Sequence, residues 1–208
     1  MSQVRDLSGQ PLPPKYSMDK NMTEYKCFDN LLDENVFSRL QEVLLSRELP
    51  WYYAPFTDDE NNDENNNQFY FGHNIYLRHS WVSRPVTGAG PTSCVPFEEL
   101  APLIQKINPM AIHMIRANLM TRSDSHIEAQ FHSDMDQNAP TTDPNKINQW
   151  TTAVYYINDC NGYTKLEDGT VIESKANKLL TFPATTKHKG ATCTDQKIRV
   201  LINLNYIL

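Results

Sequence analysis

Ten residues near the C-terminus constrain the fold more than any other stretch. In 198–207, Ile198, Val200, Ile202, Leu204 and Tyr206 alternate with Arg199, Leu201, Asn203 and Asn205. Side chains on a strand point to opposite faces in turn, so these two sets face opposite ways. The first face is wholly apolar and belongs against helices. The second carries an arginine and two asparagines. It belongs in a polar interior site or in solvent.

The rest of the chain supplies the layers this strand requires. Asp33 can cap a helix in which Val36, Phe37, Leu40, Val43 and Leu44 form one apolar stripe, stopped by Pro50. Phe97, Leu100, Leu103, Ile104 and Ile107 suggest a second amphipathic helix ending near Pro109, with Pro102 pointing to a break or a late start. Short aromatic strands are expected at Trp51-Tyr52-Tyr53 and Phe69-Tyr70-Phe71, and another over 74–83. From Ala111 the pattern is β. Strands are expected at 112–119, 150–157 and 179–182, with a polar loop over 136–149 and a hairpin over 163–174 turning at Asp168-Gly169. Helices followed by many short strands indicate a mainly β, double-sheet sandwich with the N-terminal helices packed on one outer face. Residues 1–22 are polar and proline-containing and read as a flexible arm. Residues 23–208 read as a single domain.

Composition narrows the function classes. The net charge is −6 and no Lys/Arg block occurs, which argues against a broad phosphate-binding surface and against a nucleic-acid partner. The run 58–67 consists entirely of Asp, Glu and Asn. It cannot bury a core face and is expected to be an exposed loop, without the spacing or the glycine of an EF-hand. Cys27, Cys94, Cys160 and Cys193 are scattered and read as reduced thiols. No apolar run approaches membrane-spanning length and the first residues lack a signal-peptide core, so the expected address is the cytoplasm, with no membrane partner.

Chemistry concentrates in Phe131-His132-Ser133-Asp134. On an extended strand His132 and Asp134, two positions apart, project to the same side and can reach one ion. His188 follows a proline-ended strand that can bring it alongside. Two histidines and a carboxylate on one face form the facial triad of non-haem Fe(II). H-x-D by itself arises often by chance. Arg199 adds weight, because an inward arginine is costly unless an anion pairs with it. A bound diacid would do so through a bidentate contact. An exposed sheet face or an internal acid would also account for it. His126, His73, His79 and His113 have no ligand spacing, and the aromatics Trp51, Tyr52, Tyr70, Tyr76 and Trp81 either wall a groove or pack the sheets.

Several segments together resemble the Fe(II)/2-oxoglutarate-dependent oxygenases, in the prolyl-4-hydroxylase-like branch. They are Phe131 to Asp134, Thr152 to Asn158, Gly162-Tyr163-Thr164 with Glu167-Asp168-Gly169, Asn177 to Pro183, Lys187-His188 and Lys197 to Asn203. The resemblance covers residues 111–208 and implies a double-stranded β-helix, a jelly-roll core. It implies that His132, Asp134 and His188 are the iron ligands and that Arg199 holds the distal carboxylate of 2-oxoglutarate. Asn118, Thr152 and Tyr155 are further candidates for contact with that cosubstrate. Asn161-Gly162 stands where many members have Gly-Gly, and the remaining glycine is expected to serve a tight turn. The implied reaction uses dioxygen to convert 2-oxoglutarate to succinate and carbon dioxide while a substrate is hydroxylated. A peptidyl proline, another amino-acid side chain or a small molecule would fit. The stretches 54–70 and 135–149 are expected to form the lid. Two other readings use the same residues: a zinc-dependent hydrolase, and a jelly-roll binding module without catalysis. Arg199 argues against the first, since hydrolysis needs no diacid. The presence of all four key residues argues against the second.

Overall fold

The computed structural model describes residues 24–55, 69–77, 95, 97–135 and 144–208. The N-terminal arm, the acidic run 58–67, His79, Trp81 and Cys94 lie outside the described residues, as do 136–143 of the expected polar loop.

Two antiparallel sheets face each other. The elements in chain order are β1 (Lys26–Phe28), α1 (Glu34–Leu45), β2 (Tyr52–Pro55), β3 (Phe69–Leu77), α2 (Phe97–Ile107), β4 (Ala111–Thr121), α3 (Pro144–Ile147), β5 (Trp150–Tyr156), β6 (Tyr163–Leu166), β7 (Val171–Glu173), β8 (Lys178–Pro183), β9 (His188–Gly190) and β10 (Ile198–Ile207). The major sheet runs β1-β8-β5-β10-β4-β3-β2 and the minor sheet β7-β6-β9. This is the double-stranded β-helix expected from the sequence.

β10 lies in the middle of the major sheet, between β5 and β4. Its two faces divide the core as its alternation requires. Val200, Ile202, Leu204 and Tyr206 pack with Phe37, Leu40 and Leu44 of α1 and Leu100 and Leu103 of α2. Leu201, on the opposite face, packs between the sheets with Met120, Val154, Tyr156, Leu166, Leu180 and Phe182. The open question about the polar face of β10 is thereby answered: it points into the sandwich.

The helices follow their apolar stripes. Phe37, Leu40 and Leu44 are buried on α1, whose N-cap Asp33 makes no side-chain capping bond. The helix ends at Leu45, before Pro50. Pro102 lies inside α2 without breaking it. It is the sixth of the eleven helical residues, so its missing N–H forfeits one intrahelical bond, and the helix continues past it. Asn108 ends α2 in the left-handed region, with φ 52°. Two other expectations shift. Phe69 to Phe71 and the first part of 74–83 form one strand, β3, and the polar loop contains the short helix α3.

A buried clamp ties the chain before α1 to the barrel. Asn177 Oδ1 accepts from the Leu32 backbone N–H (2.9 Å) and from the Tyr155 hydroxyl (2.6 Å), and its Nδ2 donates to the Leu32 carbonyl at 2.7 Å. Asn177 itself has φ 61°, a conformation that asparagine tolerates better than most residues. At the hairpin between β6 and β7, Gly169 has φ +90°, so the Asp168-Gly169 turn is where the sequence puts it.

Candidate active site

The ligand candidates are assembled by one antiparallel bridge. β4 ends at Thr121, and the chain then crosses beside β9. His132 N–H donates to the His188 carbonyl (3.0 Å) and His188 N–H donates to the His132 carbonyl at 2.8 Å. The two residues are thus direct partners on neighbouring segments, with ring centroids 4.6 Å apart. This corrects one expectation. His132 and Asp134 do not share a regular strand, since Asp134 lies in a bend just after the isolated bridge. The carboxylate still reaches the site, because Met135 N–H holds the bend to the Ala184 carbonyl at 3.1 Å.

Ligand atoms of His132, Asp134 and His188 all lie within 4.8 Å of one another. Nδ1 of His132 lies 3.2 Å from the Gln130 carbonyl, and Nδ1 of His188 lies 3.2 Å from the Thr186 carbonyl. A carbonyl only accepts, so each imidazole carries its proton on Nδ1 and keeps the Nε2 lone pair free. Both Nε2 atoms are 3.9 Å from Asp134 Oδ1. The other oxygen, Oδ2, accepts from Thr152 Oγ1 (2.7 Å) and Asn205 Nδ2 (2.8 Å). Burial alone would raise the pKa of Asp134. The charge of His188 when protonated and the hydrogen bonds from Thr152 and Asn205 outweigh it, and the carboxyl is held below its ordinary range. Burial also lowers the pKa of His188, against the pull of Asp134, which favours the neutral, ligating form. The donor set of two imidazole nitrogens and one carboxylate oxygen suits Fe(II) in a facial triad.

The triad lines a cavity of about 540 Å³, and Arg199 lies in the same cavity. Arg199 is 0% exposed. Its Nε donates to Ser174 Oγ at 2.6 Å and its NH2 to Thr164 Oγ1 at 3.0 Å, while NH1 lies 3.7 Å from Met120 Sδ. All of these partners are neutral, and no carboxylate among the described residues pairs with the guanidinium. Burial pushes its pKa below the ordinary arginine value. Such a group is stabilised by an anion entering the cavity.

Two glycines make room for it. A Cβ on Gly162 would lie 2.6 Å from Arg199 Cδ, and one on Gly190 would lie 3.2 Å from its NH1. Gly162 has no positive φ, so space beside Arg199, and not a tight turn, is what requires a glycine there.

No protein-family model matches the sequence, and no curated protein matches it. Solved structures do match. A Pseudomonas putida prolyl-4-hydroxylase superposes with a TM-score of 0.56 at 13% identity, covering 89% of this chain and 92% of that one. A Trichoplax adhaerens prolyl hydroxylase, in complex with a hypoxia inducible factor peptide fragment, gives 0.58 at 14% identity, covering 90% and 84%. A Burkholderia pseudomallei oxidoreductase of the 2OG-Fe(II) oxygenase family gives 0.53 at 13% identity, covering 88% and 85%. The chain has the fold of the Fe(II)/2-oxoglutarate oxygenases.

Within that oxygenase fold the sequence candidates separate. Asn118 lines the cavity. Thr152 bonds the buried oxygen of Asp134, so it positions a ligand candidate. Tyr155 is a correction. Strand alternation turns it to the helix side of the major sheet, where its ring meets Phe37 edge-on at 6.0 Å and its hydroxyl bonds Asn177. It belongs to the core that carries the helices and not to the cavity. Of the aromatics considered for a groove wall, Tyr70 lines the cavity; Tyr52 stacks on His73 and Trp51 packs the helix-side core. His126 is structural, with Nδ1 2.7 Å from the Thr192 carbonyl.

Sequence reasoning missed several roles. Ser174, which receives Arg199 Nε, had no signal of its own, and Thr164 figured only as part of the Gly162-Tyr163-Thr164 segment. Asn203 and Asn205 did have one, since both fall on the polar face of β10. Arg116 was read only as part of a strand, yet it lines the cavity.

Proposed function

We propose that this chain is an Fe(II)- and 2-oxoglutarate-dependent oxygenase that hydroxylates an amino acid, free or within a peptide. One observation carries the reading. Arg199, a fully buried cation with only neutral described partners, shares a cavity with a two-histidine, one-carboxylate cluster. The fold it adopts is that of known oxygenases of this chemistry.

Nε2 of His132, Nε2 of His188 and Oδ1 of Asp134 would hold the metal. Bound Fe(II) supplies the redox chemistry by which dioxygen oxidises 2-oxoglutarate to succinate and carbon dioxide while the substrate gains a hydroxyl. The protein's own residues do the rest. Arg199 fixes the distal carboxylate of 2-oxoglutarate through charge-assisted bonds. Leu201, on the same face of β10 between Arg199 and Asn203, offers an apolar wall to the carbon chain. Thr152 and Asn205 hold Oδ2 of Asp134 so that Oδ1 stays aimed at the metal position. Burial favours the neutral form of His188.

A zinc hydrolase would use the same triad but leaves Arg199 without a task. No helix among the described residues is long and apolar enough to cross a membrane. Cys27, Cys160 and Cys193 are free thiols, which fits a reducing compartment, and we place the protein in the cytoplasm.

The test is succinate release from 2-oxoglutarate in air. It is expected with Fe(II), not with Zn(II), and is abolished in His132→Ala and Asp134→Ala. Turnover that persists in both folded variants would overturn the proposal.

A further inference from the structure

The inward face of the major sheet carries a second cation. Arg116 on β4 pairs with Asn203 on β10 and with Asn74 on β3, so the three residues form one rung across the sheet. The next rung holds Asn118, Leu201 and Gly72. Arg116 and the Arg199 partner Met120 are four residues apart on β4, about 13 Å along a strand. That span exceeds the length of a five-carbon diacid. A 2-oxoglutarate held by Arg199 and reaching the triad leaves Arg116 for another ligand.

The groups around Arg116 are unusual in chemistry and orientation. Its Nε donates to Asn74 Oδ1 at 2.8 Å and its NH1 to the Tyr70 hydroxyl at 3.1 Å. Both partners are neutral, and no carboxylate among the described residues pairs with it. The bond to Asn74 Oδ1 turns Asn74 Nδ2 away, and this buried donor has no described partner. Asn203 points Nδ2 toward Asp134 Oδ2 at 3.5 Å, which leaves its Oδ1 buried and unpartnered. Asn118 Oδ1 is buried and unpartnered as well. A Cβ on Gly72 would lie 3.8 Å from Arg116 Cδ and 4.0 Å from Asn118 Oδ1, so the absent side chain keeps the space between them open. Buried polar atoms without protein partners are rare in folded proteins, and ordered water or a bound ligand is what satisfies them.

We infer that Arg116 is the carboxylate anchor of a substrate subsite, and that the substrate is a free amino acid. Arg116 lines the cavity, and its guanidinium is a donor that matches a carboxylate. Asn118 Oδ1 and Asn203 Oδ1 are acceptors that match an ammonium group. The Asp134 neighbour of Asn203 puts this subsite beside the triad, which is where the substrate side chain must lie. The inference rests on the oxygenase reading and narrows its substrate class.

The probes are the twenty free L-amino acids and their carboxamides, titrated calorimetrically into the anaerobic protein loaded with Fe(II) and 2-oxoglutarate. The visible band of that loaded protein reports the oxygenase reading by itself. If the band forms and no amino acid binds, only the present inference falls. At least one amino acid is expected to bind, with its carboxamide about tenfold weaker or more. Arg116→Gln should weaken the acid to a similar degree, and Arg116→Lys should recover part of the loss. Equal binding of acid and amide by the wild-type protein overturns the inference without relying on any variant. So does undiminished binding by a folded Arg116→Gln protein.

Discussion

Thr152 donates its hydroxyl to Oδ2 of Asp134 at 2.7 Å, so the carboxylate turns its other oxygen to the two imidazoles. The same hydroxyl accepts from Asn205 Nδ2 at 2.9 Å. Thr152→Val keeps the shape and removes the bond. Metal affinity should fall by about 10- to 100-fold, as for other outer partners of metal ligands. A competition titration with a metal chelator reads this directly. Unchanged affinity in the folded variant would remove Thr152 from the site.

Arg199 makes the opposite kind of prediction. A buried charge without an ionic partner is a weak contributor to stability, and an apolar residue of similar length can replace it without loss. Arg199→Met should therefore melt no earlier than the wild type in the absence of ligand. Its KM for 2-oxoglutarate should rise about tenfold or more, because charge-assisted bonds are removed. A large drop in melting temperature with an unaltered KM would reverse the assignment.

The two glycines Gly162 and Gly169 separate space from conformation. A Cβ at Gly162 meets Arg199 Cδ at 2.6 Å and the Ala191 carbonyl at 3.1 Å, whereas one at Gly169 meets nothing within 4 Å. Gly162→Ala should cost about 1–3 kcal/mol through overpacking and weaken 2-oxoglutarate binding with it. Gly169→Ala should cost about 1 kcal/mol through its positive φ alone and leave 2-oxoglutarate binding intact. Chemical denaturation paired with 2-oxoglutarate titration distinguishes them. Equal effects on binding would contradict the packing argument.

Tyr155→Phe removes one buried hydrogen bond to Asn177, on the helix side of the sheet. Stability should fall by about 1 kcal/mol, and the KM for 2-oxoglutarate should not move. A raised KM would return Tyr155 to the cosubstrate site.

The fold was legible because β10 has a clean alternation in a central position, where both faces are buried. The helices were legible from stripes such as Phe37, Leu40 and Leu44. His132, Asp134, His188 and Arg199 were singled out by the resemblance of the segments around them, since an H-x-D pair and a lone inward arginine are each weak signals by themselves. Tyr155 was misjudged because neighbouring residues on a strand face opposite ways, and the phase of β5 is hard to read where Thr152 to Tyr156 are all compatible with burial. Gly162 was misjudged because sequence shows a glycine but not the arginine that crosses it. Ser174 and Arg116 were silent, because their meaning comes from strands distant in sequence, as in Arg116 facing Asn203.

The central claim is that one cavity holds Fe(II) at the triad and 2-oxoglutarate at Arg199. The most direct measurement is the visible absorption of the wild-type protein under anaerobic conditions with Fe(II), as 2-oxoglutarate is added. A weak metal-to-ligand charge-transfer band is expected to grow to saturation, and to be missing in His188→Ala. A folded, iron-loaded wild-type protein that gains no such band at saturating 2-oxoglutarate would contradict the account.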